Sequence, residues 1–440
     1  MIGSGVTSEK RGAKAKEQRR PAGTSFFRPI NQWQRLGWTL AFLLIFVLRI
    51  PDVVLNPQFW SEDGSVFFRQ SLCNGPAAIG QVYDGYFHLV PRLVALAAQA
   101  FRPTYSPALY CAAALILTGL VLYLVQSPRL VLSLTPLAIV LCPTGQETYG
   151  NLTNVQWYLS LAVLALVLMR PSQSKVTTIL EAALIAIAGF TGPFVLLLLP
   201  LFGVGLLFSW RDQPVRSRML ILTVVASVTS CVQLYTLLNS AVDTGMRNLP
   251  PTVTGDIPLD MGAAICTHTL GSLLSWISPR LFMGLWQALT PVGWLGFLEI
   301  GVFLFVVLST LRSPQLRFER LALLYFGSIV LLTTFYKFKD YLPGLVPGSN
   351  GARYFLIPTV TATWLLISAV SEPKVGILAK VSLALLLVST VVGFRRDPLT
   401  DFDWPSWAHR VERGDKPRIP TNPPGWFVVT DCSLPQPRVQ

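Results

Sequence analysis

Unbroken apolar runs, separated by short basic stretches, occupy this chain from Leu36 almost to residue 394. A run such as Val195-Leu-Leu-Leu-Leu-Pro-Leu-Phe202 shows no polar face at either the helical or the strand period. A helix that is apolar all round needs an apolar surrounding. Composition agrees. With 52% apolar and only 13% charged residues, the chain has about half the roughly 25% charge of an ordinary soluble domain. Mean hydropathy is +0.52. These values exclude a soluble enzyme and intrinsic disorder. Strands of a membrane β-barrel alternate apolar and polar residues over ~10-residue segments, and these runs do not. The expectation is an all-α polytopic membrane protein, because lipid offers no water to open backbone groups.

Residues 1–35 carry Lys10, Arg11, Lys14, Lys16, Arg19, Arg20, Arg28 and Arg35 against Glu9 and Glu17. They read as a cytoplasmic, basic, disordered head. The run Leu36 to Leu55 is too long for a signal-peptide core, so it is expected to stay as the first span. Further runs lie near 88–101, 107–126, 130–142, 156–169, 177–191, 194–209, 219–238, 290–311, 319–336, 354–371 and 375–394. Arg170 and Lys175, Arg211, Arg216 and Arg218, Arg312, Arg317 and Arg320, and Lys374 and Lys380 mark four cytoplasmic loops.

Residues 56–87, 143–155, 239–289 and 337–353 and the tail 395–440 are then extracytoplasmic. Parity demands that one of the three runs between residues 87 and 143 does not cross. Residues 130–142 contain Pro136, end at Pro143, and as a helix would cover only ~20 Å of a ~30 Å hydrocarbon core. That run is expected to be a partial or re-entrant helix, with 88–101 the other candidate. The total is about 11 transmembrane helices within a domain at 36–394, in the plasma (inner) membrane. The Pro- and Trp-rich tail 395–440 is expected to pack on the outer face.

The net charge of +13 suits loop Lys and Arg touching anionic lipid headgroups rather than nucleic acid. Of six cysteines, Cys111, Cys142 and Cys231 fall in expected spans, while Cys73, Cys266 and Cys432 fall in outer segments where a disulfide can form. Sequence does not choose the pair. The three histidines and the cysteines show no zinc spacing, so no metal is expected. No Walker A loop, dinucleotide fingerprint, HExxH or nucleophile elbow is present.

Chemistry concentrates in the outer segments. The first contains Phe59-Trp60-Ser61-Glu62-Asp63-Gly64, two adjacent acids beside an aromatic pair. A carboxylate held at an apolar interface is harder to ionise and can serve as a general base. The same residues also suit a solvated helix start. Next comes Tyr83-Asp84-Gly85-Tyr86-Phe87-His88, which puts His88 and Arg92 one turn apart at the mouth of an apolar run. An arginine there needs an anion, a wet cavity or a route to the interface. Then come Glu147, Asn151, Asn154, Gln156 and Trp157, a set of amide, carboxylate and aromatic groups suited to sugar, or to helix capping and an interface belt. Asn151-Leu-Thr also matches a glycosylation sequon. Finally Lys337, Lys339, Arg353 and Tyr354 cluster, with Arg353 placed to grip a phosphate bidentately. Glu181 and Glu299 interrupt apolar runs, where acids often mark proton paths; Glu181 lies near the cytoplasmic end of its run, where it can snorkel, and Glu299 lies deeper.

In this layout the chain resembles the GT-C superfamily of membrane glycosyltransferases, which take sugars from polyprenyl-phosphate carriers. The stretches Trp60-Ser-Glu-Asp-Gly64, His88-Leu-Val-Pro-Arg92, Asn151-Leu-Thr-Asn-Val-Gln-Trp157, Thr191-Gly-Pro-Phe194 and Pro423-Pro-Gly-Trp426 are similar to an uncharacterised bacterial branch of it. The resemblance covers most of residues 36–430. It implies a GT-C-like fold with extracytoplasmic loops and juxtamembrane helices, and Asp63 or Glu62 as catalytic base. It also implies a polyprenyl-phosphate-linked sugar as donor and a glycan or glycolipid as acceptor. Arg353, with Arg92 or Lys339, would hold the phosphate, and Asn154, Gln156 and Trp157 would position sugar or acceptor. The WWDYG-like element and large soluble domain of the oligosaccharyltransferase branch are absent, and no cofactor is expected. A lipid-linked-glycan flippase or polar-solute transporter is the alternative, and it requires functional charges deep in the spans. A structural component of polymer assembly is a second.

Overall fold

The computed structural model describes residues 31–143, 146–172, 174–240, 258–266, 268, 289–312, 314–339, 342–345, 351–392, 394–396 and 398–434. Most of the expected basic head, residues 1–30, lies outside them. So do most of 239–289 and residues 340–341 and 346–350.

The described chain is mainly helical: α1 (Gln32–Arg49), α2 (Arg69–Asn74), α3 (Leu89–Ala98), α4 (Ser106–Leu124), α5 (Val155–Leu168), α6 (Lys175–Thr191), α7 (Phe194–Phe208), α8 (Gln213–Asn239), α9 (Leu289–Thr310), α10 (Arg317–Lys337), α11 (Leu356–Ala369), α12 (Gly376–Val392) and α13 (Trp404–Glu412). Polar residues just ahead of the apolar runs start several of these. Asn31, Ser174 and Asp212 each accept an amide three residues on with their side-chain oxygen. Pro193 lacks an N–H and so separates α6 from α7. Five stretches are long and apolar enough to cross a membrane: Pro103–Leu124, Gln213–Asn239, Gly293–Thr310, Arg317–Lys337 and Ala352–Ala369. Leu89–Ala98, Val155–Leu168, Phe194–Phe208 and Gly376–Val391 are shorter apolar helices. This is an all-α membrane protein in outline.

Every residue of α5 is buried. Its neighbours α4, α6 and α7 pack around it and carry the lipid-type exterior, such as Ile116, Ile179 and Leu207. Being wrapped by protein, α5 needs no polar face.

Side-chain bonds identify the two ends of the bundle. At one end Arg35 Nε donates to Tyr123 O (2.6 Å), and Gln126 Nε2 donates to Thr39 (2.9 Å). There Glu181 accepts from Arg129 and from Arg218, both at 2.7 Å. Arg320 bonds Thr310 O and Glu372 at the same turn of helices. At the other end Arg49 donates to Val140 O (2.6 Å) and Cys142 O (3.1 Å), and Arg396 donates to Pro143 O (2.8 Å). All the outer-segment candidates sit at this second end.

The two short runs then divide differently from the expectation. Residues 130–142 hold one four-residue helix, Leu137–Val140, yet they lead from Leu130, paired with Met169 at the first end, to Cys142 at the second. The 88–101 run forms α3, and both of its flanks stay at the second end. Val90 N donates to Thr191, and Pro103 O accepts from Trp404 of the tail. The non-traversing run is therefore 88–101. The re-entrant expectation for 130–142 rested on counting helical rise, and an extended chain covers the same depth in fewer residues.

The tail carries α13 and an antiparallel hairpin, β3 (Arg418–Thr421) with β4 (Trp426–Val429). Its Trp404 ring meets Phe59 and Phe68 edge-on at 4.7 and 5.6 Å. Cys73, which follows two residues after Ser71 in α2, is bonded to Cys432. Of the three outer cysteines, Cys266 is buried and lies outside this disulfide.

The Glu181 cluster is a buried ionic triad. Removing the acid alone leaves Arg218, whose side chain is 3% exposed, without a counter-charge. Glu181→Ala should cost ~3–5 kcal/mol, and Glu181→Leu combined with Arg218→Met should recover most of it. Thermal unfolding in detergent checks this; equal loss in both would contradict the triad.

Candidate functional site

The site is built where four separate stretches of chain meet. Loop one enters through Trp60, which bridges Asn422 of the tail. Ser61 takes a left-handed backbone (φ 37°), held by its N–H donating to Asn422 O and its carbonyl accepting from Ser65 Oγ (3.0 Å). Asp63–Phe68 follow as a π-helical turn, a form frequent at functional sites. Gly64 is required by close approach: a Cβ there would lie 2.8 Å from Val428 and 3.2 Å from Thr421 of the hairpin. Arg69 adds bonds to Val429 O (2.8 Å) and Leu434 O (2.6 Å). The tail thereby sets the course of the chain through both acids.

The two acids then diverge. Asp63 is 1% exposed, and its carboxylate is saturated. Oδ2 accepts from Leu152 N (2.9 Å), and Oδ1 accepts from Thr153 N (2.8 Å) and Thr153 Oγ1 (2.7 Å). Burial pushes its pKa up to about 7, against the opposing pull of those three donors. Glu62 is 9% exposed and accepts no hydrogen bond among the described residues. Its charge acts on Asp63, on Tyr83 and on Arg353.

The second stretch is a short hairpin, β1 (Val82–Tyr83) with β2 (Tyr86–Phe87). Asp84 (φ 51°) and Gly85 (φ 87°) make its turn, the Asp-Gly pair that a type I′ turn prefers. Gln233 of α8 clamps the far strand, accepting from Phe87 N (2.9 Å) and donating to Phe87 O (3.3 Å). His88 stacks on Tyr86 at 4.3 Å and donates Nδ1–H to the Tyr86 carbonyl. Burial, with the Arg92 charge, holds its pKa down at about 3, so the ring is neutral. Arg92 lies beneath, over the Phe67 ring at 5.5 Å, donating to Gln70 (2.8 Å) and Ala78 O (2.7 Å).

The third stretch, 147–157, folds on itself. Asn151 Nδ2 (2.7 Å) and Asn154 Nδ2 (3.0 Å) both donate to the Glu147 carbonyl, and Asn151 Oδ1 accepts from Asn154 N. These two amides build the loop. At 5% exposure Asn151 is closed to glycosylation in the folded chain. Gln156 donates to Tyr86 Oη (3.0 Å), while its Oε1 is buried with no hydrogen-bond partner. Trp157 packs on Phe194 and Tyr354 at 4.6 and 5.4 Å, and its Nε1 is likewise unpartnered.

The fourth stretch closes the ring. Arg353 Nη1 donates to Glu147 Oε2 (3.1 Å), and Ala352 N donates to Oε1 (3.3 Å). Burial raises the Glu147 pKa, and the Arg353 charge opposes this. Lys337 at the end of α10 pairs with Asp84 (3.1 Å) and lies over the Tyr354 ring at 5.6 Å.

Loop one, the 147–157 loop and Arg353 are thus brought together, with His88 and Arg92 adjoining. Lys339 is not: it sits over the exposed Tyr336 ring at 5.3 Å and makes no ion pair among the described residues. Lys337 occupies the place expected for it. Sequence reasoning also passed over Tyr83, Tyr86 and Thr153. The Asp-Gly turn was the available signal for the two tyrosines, because it folds Tyr83 and Tyr86 opposite one another. Glu181, read as an acid near the cytoplasmic end of its run, is fixed between two arginines at the far end. Among the described residues no group of three or more His, Cys, Asp or Glu side chains converges.

The raised pKa of Asp63 has a sign. The folded carboxyl keeps its proton to about 7, while the unfolded one releases it near 3.8. Between those values the folded state binds more protons, so Asp63 weakens folding as pH rises from about 4 to about 7. Asp63→Asn should flatten the dependence of the unfolding midpoint on pH across that window. An unchanged slope in the variant would contradict the burial of this carboxyl.

No family model, curated protein or solved structure matches the chain, so its function is argued from the site itself.

Proposed function

We propose that the protein is a membrane glycosyltransferase of the GT-C type. It moves a sugar from a polyprenyl-phosphate carrier to a hydroxyl of a cell-envelope glycan or lipid acceptor, with inversion. The observation that carries this reading is Glu62: a nearly buried carboxylate, free of hydrogen bonds among the described residues, whose charge acts on Arg353 and Tyr83.

In this reading Glu62 is the base and Asp63 positions it. Glu62 takes the proton of the acceptor hydroxyl, whose oxygen attacks the anomeric carbon. The bond from that carbon to the phosphate oxygen breaks, and the phosphate leaves with the electron pair. Arg353 and Lys337 stabilise the charge that develops there. Trp157 Nε1 and Gln156 Oε1 offer one donor and one acceptor to sugar hydroxyls, with the aromatic rings beside them.

About eleven crossings follow if the 130–142 segment is counted with α1 and α4 to α12. The site end is then extracytoplasmic and the Glu181 end cytoplasmic, in the inner (plasma) membrane. The Cys73–Cys432 disulfide supports this sidedness, since such bonds persist in oxidising compartments. The Arg-rich loops near Arg129, Arg218 and Arg320 support it from the other side. A flippase or transporter is less well supported. Its functional charges would be free in the spans, whereas Glu181 and Arg320 are paired at one end.

Purified protein in nanodiscs, given radiolabelled polyprenyl-phosphate hexose or pentose and envelope glycan extract, should release free polyprenyl phosphate. Glu62→Gln should lower that release at least about 100-fold, the lower bound for a positioned general base, without moving the unfolding midpoint. Full activity of Glu62→Gln would defeat the assignment.

A further inference from the structure

Residues 125–143 traverse the bundle without forming a helix, except at Leu137–Val140. Arg129 is tied to Glu181 at one end, and the Val140 and Cys142 carbonyls are tied to Arg49 at the other. Arg35 and Arg49, which mark those ends on α1, are 14 residues or roughly 21 Å of helix apart. Halfway along, Thr135 O accepts from Trp364 Nε1 (2.9 Å). Between Leu130 and Thr135 the ladder stops. The Leu130–Met169 bridge ends at Val131; beyond it the amides of Leu132, Ser133 and Leu134 donate to no described residue, and their carbonyls accept from none. Irregular backbone at membrane depth survives only where protein buries and pairs it or where it lines a wet cavity.

A cavity of about 320 Å³ lies alongside this stretch. Its walls include Ser133, Leu134 and Thr135 on one side and Thr363 of α11 and Leu386 of α12 on the other. Gln126 closes one end; the residue is 6% exposed, and its Oε1 has no hydrogen-bond partner. No charged side chain lines the space. It does not include any residue of the Glu62–Arg353 cluster. An acyl chain would satisfy the apolar walls but would leave Gln126 and the peptide groups of Ser133 and Leu134 unpaired. A neutral ligand that both donates and accepts would satisfy them, and the volume holds on the order of ten water molecules.

We propose that this cavity is a binding site for water, a hydrated column inside the bundle that solvates the non-helical crossing and runs from Gln126 toward Cys142. The column gives water or a small neutral polar solute access to most of the depth of the bundle, and the absence of lining charge disfavours ions. This proposal does not depend on glycosyl transfer.

Hydrogen–deuterium exchange of the wild-type protein in lipid nanodiscs tests it, because amide exchange requires water. A peptide spanning Leu130–Thr135 should exchange within about a minute, while one spanning Val155–Leu168 stays protected at least 100-fold longer. Thr363→Leu and, from the opposite wall, Ser133→Leu fill the space and should each slow exchange at Leu130–Thr135 at least 10-fold. Slow exchange in the wild type would mean a dry, lipid-filled cavity and would overturn the proposal. Fast exchange that neither filling variant slows would mean that the water comes from elsewhere, and would overturn it equally.

Discussion

The bonds from Leu152 and Thr153 to the Asp63 carboxylate are the contact on which the arrangement at this end of the bundle depends. They join the first loop to a turn that opens the central buried helix. A carboxylate that accepts two backbone amides and a hydroxyl is fixed in position and in rotamer. Its neighbour Glu62 accepts no hydrogen bond among the described residues, and the left-handed turn at Ser61 directs the chain before both. The tail hairpin supports the same turn from the other side through Asn422 and through the close approach of Val428 to Gly64. One carboxyl is thus structural so that the other can be left without partners.

Elsewhere the charges within the bundle follow a simple rule. Arg49, Arg218 and Arg320 are nearly fully buried, and each donates to backbone carbonyls at a helix end or to an acid. Isolated charge in an apolar interior is too costly to keep without such partners. Unpartnered buried polar atoms occur in several places, Tyr110 Oη and Ser230 Oγ among them. Trp157 Nε1, Gln156 Oε1 and two nitrogens of Arg92 lie at the end of the bundle that carries the site, and Gln126 Oε1 lies on the separate cavity.

Much of this was legible in the sequence. The apolar runs gave the helices within a few residues, because a helix with apolar sides all round must be continuous; the polar caps, lying outside the runs, account for α6 and α8 beginning earlier than the hydropathy does. The outer segments chosen for their amides, acids and aromatics do meet in space. What was hidden is what depends on tertiary contact. Glu62 and Asp63 are chemically alike, and only the position of Thr153 distinguishes them. Lys337 and Lys339 differ by two residues, which on a helix end places them on different faces. The choice between 88–101 and 130–142 turned on an extended crossing, which has no periodic signature to detect. Cys73 and Cys432 are far apart in sequence, and pairing them requires knowing that the tail returns to loop one.

The central claim is that a lipid phosphate is gripped beside Glu62, at the end of the bundle closed by the tail. A cryo-electron microscopy map of the protein in nanodiscs with polyprenyl monophosphate measures this directly. The account predicts phosphate density within hydrogen-bonding distance of Arg353 and facing Glu62. Density at the Arg129–Arg218 end instead, or a lipid phosphate ordered anywhere but beside Arg353, would contradict it.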